Sequence, residues 1–345
     1  MRHANIPIFI PHMGCPHDCI FCDQKQITGR DSVDLEGVRR EIETALATVE
    51  PGTQVEIAFF GGSFTGIDRD DMIGLLELAS RYVKAGMADS IRLSTRPDYI
   101  NAEILGILAR YPVRHIELGI QSLDDRVLMC AERGHDAACA LSACHAVVQA
   151  GFCLTGQMMI GLPRSSMESE IATAEGICRG GAQSARVYPT VVLRGTELEH
   201  MAQRGEYLPP DTDDMVRRTA AVLEVFDRHG VEVIRIGLCA TERLCQTDSV
   251  CVGSYHSAFG ELARSEVFYR RICQGLDGID PARLQGASLK IVCPKGCVSQ
   301  VIGQKRRNIT RLLLSYGMKN VKTVESDALF GYNVEYELSG EGECQ

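Results

Sequence analysis

GCPHDCIFC, residues 14–22, is the stretch that decides how this 345-residue chain folds and what chemistry it carries. Three cysteines, Cys15, Cys19 and Cys22, stand at C-x3-C-x2-C spacing just after the short apolar run of residues 6–10. Structural zinc sites and ferredoxin clusters use four protein ligands. Since no fourth partner is obvious nearby, the triplet predicts an iron–sulfur cluster with one metal position kept open for a substrate or cofactor. Three buried or zinc-binding thiols are the alternative.

Composition limits the class of protein. The formal net charge is −9, which argues against a protein that coats nucleic acid or anionic membrane by charge alone. No stretch reaches the length of a membrane span and the amino terminus lacks a signal-peptide pattern, so we expect a cytoplasmic protein with no membrane partner. In a reducing compartment, the 15 cysteines fit metal ligands and small buried side chains better than disulfides.

A strand–helix rhythm runs along the chain to about residue 238. The predicted strands after the first apolar run are 54–60, 90–95, 114–120, 153–160, 184–193 and 231–238. The predicted helices are 33–49, 69–85, 102–111, 124–150, 167–179 and 215–229. Continuously apolar strands separated by helices predict an α/β fold whose parallel sheet is covered by helices outside, and six or seven such units predict a partial (β/α) barrel.

Residue types suited to binding follow these strands. A barrel of parallel strands brings their carboxyl ends to one edge, where enzymes of this architecture carry out their chemistry. The segments predicted to meet there are residues 14–22, Gly61-Gly62-Ser63, residues 94–98, Gln121-Ser122, residues 160–163 and Tyr188-Pro189-Thr190. The coincidence of several such segments predicts one site at this edge.

The same segments resemble one protein family. GCPHDCIFC resembles the cluster loop of the radical S-adenosylmethionine (radical SAM) superfamily. Further matching stretches are FFGGSFTG (59–66), STRPDYI (94–100), IELGIQSLDDRVL (116–128), ERGH (132–135), MMIGLP (158–163) and ARVYPTVVLRGTELEHMAQRGEY (185–207). Together, over roughly residues 5–260, they are similar to the radical SAM domain of the Elongator catalytic subunit family, which modifies the wobble uridine of tRNA.

The resemblance implies two cofactors. Cys15, Cys19 and Cys22 would be the catalytic ligands of a 4Fe–4S cluster, and SAM would chelate the fourth iron through its amino and carboxylate groups. One electron would cleave SAM to a 5′-deoxyadenosyl radical that abstracts hydrogen from carbon, so the cofactor supplies the chemistry and the protein positions it. The electron would come from an external donor such as flavodoxin or ferredoxin.

The resemblance also implies a set of SAM contacts. They are Gly61, Gly62 and Ser63 for the amino group, Arg96 and Gln121 for the carboxylate or ribose, Phe21, Ile160 and Gly161 around the adenine, and Tyr188 as a further catalytic residue. Structural alternatives stay open for three of them. Arg96 could cap a strand end through Asp98, Gln121 could be a buried amide bonded to backbone, and Tyr188 could be a core residue.

Residues 286–345 follow a different pattern. Strands are predicted at 288–293, 320–325 and 332–338, with helices at 296–302 and 306–316. VIGQKRRN, residues 301–308, resembles the G-x-x-G turn of a KH RNA-binding domain, with Arg306 in place of the second glycine. Eight basic residues and no Asp or Glu lie between positions 288 and 324, which favours phosphate binding. A solvated basic face on a small packing domain is the alternative.

We therefore expect a radical SAM barrel (1–260), a linker (261–285) and a small α+β KH-like RNA-binding domain (286–345), with no acetyltransferase domain of the kind that Elongator catalytic subunits carry. The predicted function is modification of tRNA or another structured RNA. The candidate RNA contacts are Arg194, His256, Lys305, Arg306 and Arg307. Rival hypotheses are a small-molecule enzyme like the oxygen-independent coproporphyrinogen oxidases and a non-catalytic, metal-containing RNA-binding protein. A second metal on Cys239, Cys245, Cys251, Cys293 and Cys297 stays open, although irregular spacing favours buried thiols.

Overall fold

The computed structural model describes residues 2–10, 19–22, 33–238, 250–252 and 256–339. Seven of the strands in these residues form one parallel sheet, in the order β1-β2-β3-β4-β5-β6-β8, which curls into a half-barrel. The strands of the half-barrel region are β1 His3–Ile10, β2 Gln54–Gly61, β3 Ser90–Thr95, β4 Val113–Gln121, β5 Cys153–Ile160, β6 Ser184–Pro189, β7 Val192–Leu193, β8 Glu232–Ile236 and β9 Val250–Val252. The predicted α/β class and parallel half-barrel are confirmed.

Helices connect these strands and cover the outside of the sheet. They are α1 Leu35–Leu46, α2 Arg69–Lys84, α3 Ala102–Leu108, α4 Asp125–Cys130, α5 Ala137–Gln149, α6 Met167–Arg179, α7 Glu197–Gln203 and α8 Thr212–Arg228. Most begin at a side-chain cap: Asp68 accepts from Asp70 N at 2.8 Å and Asn101 from Ile104 N at 2.9 Å. Such caps satisfy backbone donors that the first turn leaves free.

The strands alternate between an apolar and a polar face. On β4, Ile116 and Leu118 are fully buried in the core formed with the helices, whereas Glu117 faces the interior of the half-barrel and pairs with Arg186 on β6. The expectation of continuously apolar strands is therefore wrong for the inner face. The physical reason is that the open half-barrel covers only its convex face with helices, so its concave face holds polar groups paired with each other.

The predicted helix 124–150 is wrong in its middle. It breaks into α4 and α5 because Glu132 and Gly134 adopt positive φ angles of 51° and 74°, and Asp136 then caps a new helix by accepting from Cys139 N at 2.7 Å. The predicted strand 184–193 also divides, since β6 ends at Pro189 before the short β7 begins.

The chain continues into a second, smaller unit. Its elements are α9 Phe259–Leu276, α10 Pro281–Leu284, β10 Ser288–Pro294, α11 Val298–Ile302, α12 Arg307–Tyr316, β11 Asn320–Ser326 and β12 Glu335–Ser339. β10 pairs parallel with β11 and antiparallel with β12. Much of the predicted linker 261–285 is helical, and α9 packs on α8 through Ala220, Leu223, Ala263 and Val267. Across the described ranges, no helix combines the length and apolarity that a bilayer crossing requires.

Candidate active site at the carboxyl edge of the half-barrel

The predicted site residues lie where five neighbouring strands end. Gly61 closes β2, Arg96 follows β3, Gln121 closes β4, Ile160 closes β5 and Tyr188 lies next to the last residue of β6. Because these strands are parallel neighbours in the sheet, their carboxyl ends form one edge. The arrangement brings the candidates for SAM contact to the same mouth of the half-barrel.

The segment Cys19–Cys22 is fixed against this edge by backbone hydrogen bonds. Cys22 N donates to Cys19 O at 2.9 Å, which closes a turn, and Ile20 N donates to Ala131 O at 3.4 Å at the end of α4. Ile20 O accepts from Leu198 N at 2.8 Å. Ile20 is buried and the Phe21 ring packs beside it against the same small apolar cluster. Cys15 lies outside the described residues.

The Cys19 sulfur lies between two buried guanidinium groups. Arg133 Nη1 donates to Cys19 Sγ at 3.1 Å, and Arg96 Nη1 lies 3.9 Å from the same atom. Cys19, Arg96 and Arg133 are all under a tenth exposed. Metals and clusters bind cysteine as a thiolate, and a guanidinium within hydrogen-bond distance can serve as a donor to such a ligand sulfur. The chemistry of this donor set therefore fits a cluster ligand.

Arg96 lies at the predicted edge, directly after β3. It also pairs with Asp98, which was the structural alternative to a SAM contact. Its Nε and Nη2 bind the Asp98 carboxylate at 2.9 and 3.0 Å, and Nη2 also donates to Arg133 O. The charge of Arg96 is thus neutralised inside the protein, and the guanidinium is fixed beside the cysteine segment. A contact between Arg96 and SAM stays a prediction.

Gln121 terminates β4 in a left-handed backbone conformation, with φ of 66°. The register between β4 and β5 shifts between Gly119 and Gln121, so a bulge turns the Gln121 side chain. Its Oε1 accepts a long hydrogen bond from Gln157 Nε2 at 3.5 Å. A buried amide on strained backbone at the mouth suits ligand binding, since such strain clusters at functional sites.

Gly161 follows β5 with φ of 82° and both of its backbone polar groups are occupied. Its N–H donates to Glu170 Oε1 at 2.7 Å, and its carbonyl accepts from Tyr207 Oη at 2.6 Å. A β-carbon here would lie 2.6 Å from Met215 Sδ. Burial raises the pKa of the Glu170 carboxyl and its pair with Arg218 opposes that shift. A cavity of about 430 Å³ borders Gly161, and the backbone conformation of Gly161 forms part of the cavity wall.

Three buried polar atoms near this edge have no hydrogen-bond partner within the described part of the chain. They are Arg133 Nε, Thr190 Oγ1 and His135 Nε2. Burial, with the nearby Arg133 charge, lowers the pKa of His135 to about 4. Buried polar atoms are rarely left unpaired, and each costs about 1–3 kcal/mol when it is. A polar ligand at the mouth would account for them, which again fits the residues to the implied cofactors.

Below the mouth, an ion pair crosses the concave face. Arg186 Nε lies 2.7 Å from Glu117 Oε2, and Arg186 Nη1 donates to Tyr188 Oη at 3.3 Å. The Arg186 guanidinium also lies 5.2 Å from the centre of the Phe60 ring. Burial raises the pKa of the Glu117 carboxyl, and the charge of Arg186 counteracts that shift. Tyr188 is half-buried, held by Arg186, and faces the interior instead of the helix-packed core.

The predicted RNA contacts are spread over three places. Arg194 is exposed just after β7. His256 Nδ1 accepts from Ala258 N at 3.1 Å, just before α9 begins. Lys305 and Arg306 are exposed in the turn before α12. Arg307, the next residue, forms a two-pronged ion pair with Asp213 at 2.8 and 2.9 Å.

The described cysteines of the second-metal set each contact a backbone oxygen. Cys293 Sγ donates to Val324 O at 3.5 Å, Cys297 Sγ lies 3.9 Å from Lys295 O, and burial raises the pKa of Cys293 to about 11. No group of three potential metal ligands occurs within the ranges that the structure covers. Cys239, Cys245 and the side chain of Cys251 lie outside the described residues.

Family comparison agrees with this geometry. The sequence model of the radical SAM superfamily matches residues 9–175, and that of the radical SAM C-terminal domain matches residues 182–268. The chain belongs to the radical SAM superfamily. Enzymes of this superfamily use a 4Fe–4S cluster and SAM, so the predicted enzyme class and cofactors are confirmed.

The predicted resemblance of this radical SAM chain to the Elongator catalytic subunit family is also confirmed. The tRNA uridine(34) acetyltransferase of Methanocaldococcus jannaschii is 26% identical over 56% of this chain and 44% of its own length. Elongator complex protein 3 of Mus musculus is 26% identical over 62% of this chain and 47% of its own length. The chain thus spans about half the length of each. The archaeal Elp3 of Methanocaldococcus infernus superposes with a TM-score of 0.61 at 19% identity, covering 81% of this chain and 64% of that one, which shows the shared fold.

One residue of this candidate site was not predicted from the sequence. Arg133 stands in the ERGH stretch, which the sequence analysis placed inside a continuous helix and gave no role. Gly134, directly after Arg133, was the available signal, because glycine favours a helix end over a helix interior.

Proposed function

We propose that this protein is a radical SAM enzyme that modifies tRNA or another structured RNA. Cys15, Cys19 and Cys22 hold the 4Fe–4S cluster at the carboxyl edge of the half-barrel. When bound, the cluster and SAM supply a 5′-deoxyadenosyl radical that abstracts hydrogen from the substrate. The observation that carries the proposal is the buried Cys19 sulfur between the Arg96 and Arg133 guanidiniums, in a chain similar to tRNA uridine(34) acetyltransferases.

The residues of the mouth bind and orient SAM in this proposal. Gly61, Gly62 and Ser63 receive its amino group, and Gln121 approaches its carboxylate or ribose. Phe21, Ile160 and Gly161 enclose the adenine beside the cavity that Gly161 borders. Arg96, already paired with Asp98, holds the cysteine segment in place as well as facing the ligand. An external flavodoxin or ferredoxin supplies the electron.

The substrate enters the concave face below the mouth. Arg186 and Glu117 neutralise each other there, and Arg186 fixes the Tyr188 hydroxyl group. A lumen lined by paired charges and a phenol suits a flat, polar group such as a nucleobase better than an apolar one. Tyr188 is therefore the candidate residue for contact with the reacting group.

The small C-terminal unit binds the RNA backbone as a KH-like domain. Its helices α11 and α12 flank a tight turn in which Lys305 and Arg306 have φ angles of 51° and 62°. Two consecutive non-glycine residues in this region are strained, and strain of this kind is retained at binding sites. Both side chains are exposed, with no carboxylate ion pair among the interactions of the described residues, so their charges can meet phosphates.

Arg307 sets where that turn lies. Its partner Asp213 is in the first turn of α8. A helix that leads into a parallel strand runs opposite to it, so α8 begins at the carboxyl edge of the sheet, where the candidate site lies. The Arg307–Asp213 pair supports a binding mode in which Lys305 and Arg306 hold RNA phosphates while a neighbouring nucleotide enters the mouth. Arg194 and His256 are further candidate RNA contacts.

Mass spectrometry of tRNA nucleosides tests the RNA assignment. Cells that lack the protein should lose one modified nucleoside, and the wild-type gene should restore it while a Cys22→Ala gene should not. Cys178→Ala, which removes a half-buried thiol on α6 far along the chain from the cysteine triplet, is the matched control and should restore it. Identical nucleoside profiles with and without the protein would reject RNA modification and favour a small-molecule substrate.

A further inference from the structure

Two phenylalanine side chains lie side by side on the concave face of the half-barrel. Phe9 on β1 is in register with Phe60 on β2, and each lies one residue before its strand ends. Ile8 and Ile10 are buried in the core beneath the helices, so the alternation of the strand directs Phe9 to the opposite, concave face. Arg186 on β6 reaches the Phe60 ring although three strands separate β2 from β6, and only the concave face allows such a contact. Both rings therefore line the space just below the mouth.

The two rings differ in what covers them. The Arg186 guanidinium lies 5.2 Å from the centre of the Phe60 ring, so a cation already occupies that aromatic face. Phe9 is 43% exposed, whereas Phe59 and Phe64, in the core of the half-barrel, are fully buried. Phe9 therefore presents an open aromatic surface to whatever enters the lumen.

Polar groups lie across the lumen from this aromatic surface. Arg186 pairs with Glu117 at 2.7 Å and donates to the Tyr188 hydroxyl group at 3.3 Å. A ligand on Phe9 thus meets an apolar ring on one side and a guanidinium, a carboxylate and a phenol on the other. A planar heterocycle suits both, because its face stacks on an aromatic ring and its edge carries hydrogen-bond donors and acceptors. A phosphate group has no such face, and an aliphatic chain has no polar edge.

We propose that Phe9 stacks against the ring of a nucleobase that enters the lumen, and that Phe60 holds Arg186 towards the edge of that ring. The inference rests on the proposed function, because an RNA substrate must supply the base, and it adds the residue that selects a flat ring. Proteins read single-stranded RNA by stacking bases on aromatic side chains and bonding to their edges. A base inside the half-barrel has left its stack in the RNA, and stacking on Phe9 compensates part of that cost.

The test compares three substitutions of Phe9 in the full chain, reconstituted without air and assayed on total tRNA from cells that lack the protein. Phe9→Ala removes the ring, and kcat/KM for formation of the modified nucleoside should fall about 5- to 150-fold, which is the loss of one base–aromatic stack. Phe9→Leu keeps an apolar side chain without a ring and should lose most of the same activity. Phe9→Tyr keeps the ring and should remain close to the wild type.

Phe330→Leu is the matched control. Phe330 is 74% exposed in the small C-terminal unit, and a β-carbon on the next residue, Gly331, would lie 3.2 Å from Asp227 Oδ1 near the end of α8. Because α8 begins at the carboxyl edge of the sheet, its end lies at the opposite edge, away from the mouth. This variant should modify tRNA as the wild type does.

Each outcome decides the question. Wild-type kcat/KM in Phe9→Ala overturns the proposal, and so does an equal loss in Phe9→Leu and Phe9→Tyr, because the ring would then not matter. Release of 5′-deoxyadenosine without RNA is measured for every variant, and a matching loss there would place Phe9 at the cluster or SAM and overturn the proposal. If Phe9→Ala does not fold, the comparison of Phe9→Leu with Phe9→Tyr decides alone. A wild-type protein that leaves the tRNA nucleosides unchanged would instead refute the proposed function.

Discussion

Removal of the Arg186 guanidinium should destabilise the half-barrel strongly. Arg186→Met leaves Glu117, whose side chain is 4% exposed, without the cation that lies 2.7 Å away. Leaving one member of a buried ion pair alone costs about 3–5 kcal/mol. The variant also loses the hydrogen bond to Tyr188 and the contact with the Phe60 ring. We expect a fall of that size in the free energy of unfolding at neutral pH.

A second substitution separates lost charge from lost packing. Glu117→Gln in the Arg186→Met background replaces the stranded carboxylate with a neutral amide, and an unpaired buried amide costs less than an unpaired buried charge. The double variant should therefore be more stable than Arg186→Met alone. Urea unfolding of the wild type, both single variants and the double variant gives the coupling energy directly.

The pH dependence of the free energy of unfolding tests the same ion pair independently. Burial already raises the pKa of Glu117 above the value of an unfolded glutamate, and loss of Arg186 raises it further. An acid whose folded pKa is raised contributes stability below its unfolded pKa and loses it as pH rises through the folded value. Arg186→Met should therefore lose less stability at pH 5 than at pH 8. A loss that does not depend on pH, or a double variant whose loss equals the sum of both singles, would refute the argument.

Three further predictions concern the site and the tail. Cys19→Ala should abolish release of 5′-deoxyadenosine from SAM while Cys178→Ala releases it normally, with circular dichroism confirming that both fold; release by Cys19→Ala would contradict the ligand assignment. Lys305→Ala combined with Arg306→Ala should weaken RNA binding and reduce the slope of log affinity against log salt by about 2. SAM cleavage in the absence of RNA should not change. An unchanged slope would show that these two residues do not contact RNA phosphates. Gly161→Ala should lower the free energy of unfolding in urea by about 1–3 kcal/mol, because φ is 82° and the new β-carbon would lie 2.6 Å from the Met215 sulfur. A variant as stable as the wild type would show that the Met215 side chain and the backbone adjust to the added carbon.

Much of the fold could be predicted from the sequence, because the hydrophobic periodicity and the turn and cap residues indicate the same helices and strands. The run 90–95 and the run 153–160 are the strands β3 and β5 to the residue, and α6 begins and ends where its periodicity predicts. Each is bounded by a cap, a glycine or a turn that leaves one conformation favourable.

The sequence failed where tertiary contacts override local preference. Residues 124–150 have helical periodicity, yet Glu132 takes a left-handed conformation next to Arg133, which donates to Cys19 and Gly119. The ion pair of Glu117 and Arg186 joins strands far apart in the chain, so no local pattern reveals it. Functional sites are where such conflicts are expected.

The sequence likewise indicated some residues of the candidate site but not the side-chain contacts that they make. Cysteine spacing indicated Cys19, and the resemblance to the Elongator catalytic subunit family implied Gln121 and Gly161. The sequence raised the pairing of Arg96 with Asp98 only as an alternative and did not indicate the pairing of Arg307 with Asp213, since both depend on side-chain geometry. The contacts of all the candidate residues with the cluster, SAM and RNA stay predictions.

Release of 5′-deoxyadenosine tests the central claim most directly. The full chain, reconstituted with iron and sulfide without air, would be mixed with SAM and a strong reductant, and the nucleoside quantified against time and bound iron. The account predicts a brown protein that binds about four irons per chain and releases 5′-deoxyadenosine in proportion to them. A protein that holds only zinc, or that holds iron and leaves SAM intact, would contradict it.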